Sequence, residues 1–171
     1  MPPDWRTASE TAAVRRWGSN AAAARGISLG SVVVVGSNSV TTHPGYPLDI
    51  AEWCLAQDET KARQGAAEAE TSGVYAASKL ALSLWSRRQA TTHDWIGEHI
   101  RLNVIAPGFI ETEMTAVLPE ETKKEYLSQI PAARYGSVGE IAKTAAWLAS
   151  DDAGYISGAV IPVVGGLGMG H

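Results

Sequence analysis

At 171 residues, 45% of them hydrophobic and 19% charged, the chain has room for one soluble domain with a sizeable core. A formal charge of −4 and the lack of a long basic run argue against a nucleic-acid partner. Cys54 is the only cysteine, so no internal disulfide can form, and no apolar stretch reaches the roughly 18 residues a membrane helix needs.

The N-terminus, with Asp4, Arg6 and Glu10, lacks the apolar core of a signal peptide. A cytoplasmic protein without a membrane partner is expected. Thr7-Ala-Ser-Glu10 reads as a capping box opening a helix toward Trp17, and the alanine run 21–24 extends a helical segment within residues 1–29. Residues 31–36 form a short apolar run bounded by glycines, the pattern of a parallel strand buried on both faces. Residues 40–73 are irregular. His43-Pro-Gly-Tyr-Pro47 must turn or extend, and two short helices are expected at 50–55 and 60–70.

A long helix is predicted over 74–91 and a second buried strand over 100–105, broken at Pro107-Gly108. A single polar helix is expected over 115–129. The capping box Ser137-Val-Gly-Glu140 opens a helix running through Leu148, and 159–164 is a last strand ending at Gly165-Gly166. Helices alternating with such strands predict an α/β fold with helices flanking a parallel sheet, in one domain spanning 1–171.

Tyr75-Ala-Ala-Ser-Lys79 places a phenol and an ammonium on one helical face, where the cation favours the phenolate needed for acid/base work. Taken alone, such a pair recurs by chance on helix surfaces. Its setting adds weight. Ser37 stands at the C-terminal end of the first strand, where open parallel sheets bind ligands. After the second strand, Asn103-x-x-x-Pro107-Gly108-x-x-x-Thr112 leaves backbone groups and a hydroxyl open to a ligand.

Together with Gly30-Ser-Val-Val-Val-Val-Gly-Ser37, these motifs resemble the second half of short-chain dehydrogenase/reductases, from about Gly30 to Gly166. The resemblance implies a Rossmann-like fold, with Tyr75 as general acid/base and Ser37 polarising the substrate oxygen. It implies that Tyr75 and Lys79 meet the nicotinamide ribose of NAD, or of NADP, and that Pro107, Gly108, Ile110 and Thr112 border the carboxamide. It further implies a small hydrophobic substrate and a homo-oligomer joined through the 74–91 helix. The long 40–73 insert resembles the 3α-hydroxysteroid and coniferyl-alcohol dehydrogenase branch. Tyr46 and Trp53 are expected either to line a hydrophobic pocket or to pack the insert itself.

Some of the family pattern is missing from the sequence. No strand, glycine-rich turn and helix precede Ser31, so the N-terminal βαβ cofactor-binding half is expected to be lacking and NAD(H) binding to be weak. Val164 stands where the family usually has an aspartate before the double glycine. Three readings follow: an NAD(P)-dependent oxidoreductase acting on a hydrophobic secondary alcohol or ketone, a cofactor-independent isomerase, dehydratase or cyclase reusing the same three residues, or a non-catalytic dimerising paralogue. The four histidines show no metal-ligand spacing, and no metal is expected.

Overall fold

The computed structural model describes residues 30–43 and 45–169. In chain order these form β1 (Gly30–Val35), α1 (Ser39–Thr42), α2 (Leu48–Leu55), α3 (Glu59–Glu68), α4 (Thr71–Gln89), β2 (Ile100–Pro107), α5 (Glu113–Ala116), α6 (Glu120–Ser128), α7 (Val138–Ala149) and β3 (Val160–Val163). Single 3-10 turns at Ile96–Glu98 and Asp151–Ala153 precede β2 and follow α7. The expected helical segment within 1–29 lies outside the described residues.

The three strands are parallel in the order β1-β2-β3, with Val34 opposite Val104 and Val104 opposite Val160. Alternation along the strands sorts their side chains onto two faces. Val32, Val34, Leu102, Val104 and Val160 pack with Trp85 of α4 and with Trp95, whose indole meets Trp85 edge-on at 6.1 Å. Val33, Ile105 and Ile161 pack with Ile141, Ala145 and Leu148 of α7. The result is the α/β, Rossmann-like layered plan expected from the sequence. Among the described residues β1 is paired on one side only, and Val35 remains half exposed, whereas β2 is buried along nearly its whole length.

The insert forms a further layer on α4. Ala77 and Ala81 are buried against Ile50 and Ala51 of α2, and small side chains on both helices permit that approach. Tyr46 and Trp53 join this cluster, so of the two uses foreseen for them the structure shows packing of the insert. The alanine face of α4 is thus covered from within the chain.

One expected element is divided. Instead of a single helix over 115–129, α5 ends at Ala116 and α6 starts after Pro119. Proline lacks the N–H for a helical bond and drives Leu118 away from helical geometry. Proline instead suits the entry to α6, where the first N–H groups have no intrahelical acceptor.

Candidate active site

Because β1 and β2 are parallel, α4 must run back from their C-terminal edge, and its first turns stand above that edge. Close packing fixes its height. A Cβ on Gly36 would lie 2.9 Å from Val104 Cγ1 and 3.4 Å from Ser83 Oγ, so only glycine lets the strand end come this close to α4. Ser83 shares a helical stripe with Lys79 and Tyr75, each four residues from the next. Its buried hydroxyl donates to the Lys79 carbonyl at 2.9 Å. From this anchor the stripe climbs about 6 Å to Lys79 and about 12 Å to Tyr75, at 1.5 Å per residue. Lys79 Nζ lies 5.5 Å from the centre of the Tyr75 ring, within cation–π range, and Tyr75 is 40% exposed.

Ser37 follows Gly36 directly. Its Oγ accepts a hydrogen bond from the Ser39 backbone N–H at 3.1 Å, which leaves the hydroxyl proton free to point at a ligand. The loop from Ser37 is tied to the start of α4 a second time: His43 Nε2 meets Ser72 Oγ at 2.9 Å, and Ser72 in turn donates to the Glu70 carboxylate. Ser37, Tyr75 and Lys79 therefore belong to two segments held together at one edge of the sheet.

The loop after β2 closes a second side. Gly108 N–H donates to Val163 O, and Phe109, Ile110 and Glu111 form a short parallel ladder with Gly136. Phe109 stacks on Tyr126 at 4.2 Å and stands 6.0 Å from Tyr135. Thr112 caps α5 in a box with Thr115, whose hydroxyl also donates to Ile110 O at 2.8 Å. The Thr112 hydroxyl itself makes only long contacts of 3.4 Å to Thr115, so it retains capacity for a ligand. Pro107, Gly108, Ile110 and Thr112 thus lie on the one stretch of chain that runs from the end of β2 to the cap of α5. The aromatic stack and Thr115 were not foreseen, because Phe109, Tyr126 and Tyr135 show no periodic pattern in sequence.

The Gly136 strap is secured by the capping box that the sequence predicts at Ser137 and Glu140. Arg134 grips Glu140 with two bonds of 2.9 and 2.7 Å, and the Ser137 N–H donates to the same carboxylate at 2.8 Å. The guanidinium first, and then the backbone bond, hold the Glu140 carboxyl down to about 2 from its ordinary 4.5. A carboxyl lowered in the folded state stabilises the fold above its ordinary value and loses that contribution as pH falls toward 2. Glu140→Gln should therefore melt below wild type near neutral pH. In melting curves collected as the buffer is acidified, the two proteins should converge between pH 4.5 and about 2.

Among the described residues no group of His, Cys, Asp and Glu is placed to hold a metal, and no helix is long and apolar enough to cross a membrane. The fit to a nicotinamide cofactor is divided. An open Thr112 hydroxyl, the Pro107–Gly108 turn and the Tyr75/Lys79 stripe suit the nicotinamide ribose and carboxamide. No described strand leads through a glycine-rich turn into a helix that could cradle a pyrophosphate.

A sequence profile described as Enoyl-(Acyl carrier protein) reductase matches residues 60–168, more than half of the chain and both of its later motifs. The chain belongs to the short-chain dehydrogenase/reductase family. Among curated members of that family, the 3-oxoacyl-[acyl-carrier-protein] reductase MabA of Mycobacterium bovis is 47% identical over 97 residues, 57% of this chain and 38% of that protein. The corresponding FabG of Haemophilus influenzae is 57% identical over 68 residues, 40% of this chain and 28% of that protein. The matched part is thus well under half the length of these relatives.

Among solved structures, the 3-alpha-hydroxysteroid dehydrogenase from Pseudomonas sp. B-0831, complexed with NADH, is 30% identical with a TM-score of 0.72. That likeness covers 93% of this chain and 66% of the other. A putative 2-deoxy-d-gluconate 3-dehydrogenase from Agrobacterium tumefaciens with bound NADP is 27% identical at a TM-score of 0.63, covering 88% of this chain and 50% of that one.

Proposed function

We propose that this chain carries the proton-transfer site of an NAD(P)-dependent oxidoreductase that interconverts a hydrophobic secondary alcohol and its ketone. The observation that carries the reading is the Tyr75–Lys79–Ser83 stripe seated on Gly36, which brings a cation-supported phenol to the strand end bearing Ser37. In the reducing direction the Ser37 O–H donates to the carbonyl oxygen and polarises it. Tyr75 gives its proton to that oxygen as negative charge develops there. The Lys79 ammonium, over the ring, stabilises the phenolate left behind. Oxidation runs the same proton path backward. A nicotinamide bound against Thr112 and the Pro107–Gly108 turn would supply or accept the hydride at the substrate carbon.

Exposed Met114 on α5 and Val117 just after it, near Thr112 in the chain, offer apolar surface to a hydrophobic substrate. The resemblance of the 40–73 insert points to the 3α-hydroxysteroid branch, and the Pseudomonas dehydrogenase of that name is among the solved structures this chain resembles, at a TM-score of 0.72. A second reading, reduction of a 3-oxoacyl thioester, is favoured by the identity to MabA and FabG. Oxidation of NADH and of NADPH, followed by absorbance with a panel of cyclic hydrophobic ketones and 3-oxoacyl thioesters, separates the two. The proposal expects turnover with the ketones. Turnover confined to the thioesters would replace it with the second reading.

A further inference from the structure

Asn38 is among the few polar residues buried in the described structure, at 4% exposure, and it follows Ser37 directly. Its bonds reach every loop at the C-terminal edge of the sheet. The backbone N–H donates to Pro107 O at 3.0 Å, joining the end of β2. The side-chain amide donates to Leu167 O at 3.4 Å, in the segment after β3. The Thr41 hydroxyl donates to Asn38 Oδ1 at 2.8 Å, which fixes the amide so that its nitrogen faces Leu167.

The segment after β3 is shaped for this contact. Gly165, Gly166 and Gly168 all have positive φ, which folds the chain back and buries Leu167. A Cβ on Gly168 would lie 2.9 Å from Thr42 Cγ2, so the segment rests closely on α1. At its other end the Ala132 N–H donates to Gly165 O, linking the segment to the loop after α6.

We infer that Asn38 is a positioning residue, locking the Ser37 turn to the loops after β2 and β3 so that the Ser37 hydroxyl keeps its place relative to Tyr75. The inference rests on the proposed oxidoreductase reading for its catalytic consequence, but not for the clamp itself. No other polar side chain described at this edge reaches across β2 from the first loop to the last.

The test uses the full chain with Asn38→Asp, which keeps the shape and the acceptor for Thr41 but turns an oxygen toward Leu167 O. Thr41→Val is the milder second variant. Hydrogen–deuterium exchange reads the clamp without any activity: amides of Leu167 and Met169 should exchange about tenfold faster in both variants. Exchange there at the wild-type rate in both would overturn the inference. Where turnover is present, Asn38→Asp should lower kcat on the order of 10- to 100-fold with KM little changed. In a Ser37→Ala background it should cost little more, because a residue acting through Ser37 has nothing left to position. An equal loss in that background would also overturn the inference, showing a merely structural role. If Ser37→Ala itself leaves turnover intact, the catalytic reading fails, and the exchange rates still decide the clamp.

Discussion

Tyr75→Phe is expected to lower turnover about 10²- to 10⁴-fold, the usual contribution of general acid/base transfer, while leaving the fold unchanged. In the proposed mechanism the Tyr75 phenol is the group that gives its proton to the carbonyl oxygen. The ring is 40% exposed, so phenylalanine keeps its packing and removes only the hydroxyl. Lys79→Met should lower activity as well, since the ammonium 5.5 Å from the ring centre supports the phenolate left after transfer. Steady-state kinetics with circular dichroism as the control for folding checks both. Wild-type turnover in a folded Tyr75→Phe protein would mean that the proton reaches the substrate by another route and that Tyr75 is retained without its chemistry.

The largest loss of stability is expected at Asn103, which is fully buried in β2. Its side-chain amide donates to Ile156 O at 2.8 Å, and its Oδ1 accepts from the Ala159 N–H at 3.0 Å. Asn103 thereby holds the chain that leads into β3. Asn103→Leu keeps a similar volume but leaves the part-buried Ala159 N–H and Ile156 O without their partner, each costing up to about 1–3 kcal/mol. A chain of this size should then melt lower by roughly 2–4 °C per kcal/mol lost. Thermal denaturation of the folded variant checks this. A shift within a degree or so of wild type would show that solvent reaches these backbone groups.

Asn103 also shows what the sequence could and could not convey. The motif around it was legible, but only the structure separates its members into a latch for β3 at Asn103, a turn at Pro107-Gly108 and a helix cap at Thr112. The strands were legible because runs such as Val32–Val35 and Leu102–Ala106 have no other stable burial in a parallel sheet. The helix over 74–91 was legible, but its Tyr75/Lys79 pair gained weight only beside Ser37 and the 103–112 motif. Other features depend on contacts between distant segments, which leave no local pattern. Asn38 reads as one polar residue in a polar loop until Leu167 is folded onto it. The cover on the Ala77/Ala81 face comes from an insert that is irregular in sequence. The break at Pro119 was visible in sequence, and there the polar run misled by suggesting one continuous helix.

Transfer of deuterium reports whether a hydride passes between nicotinamide and substrate at this site. NADH, or NADPH, deuterated at its transferable hydrogen would be supplied with the best ketone from the panel, and the product examined by mass spectrometry and NMR. The oxidoreductase account predicts one deuterium on the carbinol carbon, with the hydroxyl proton drawn from solvent by way of Tyr75. Product that carries no deuterium, or that gains solvent hydrogen at a carbon while the dinucleotide stays reduced, would contradict it and leave proton transfer without a nicotinamide as the chemistry of this site.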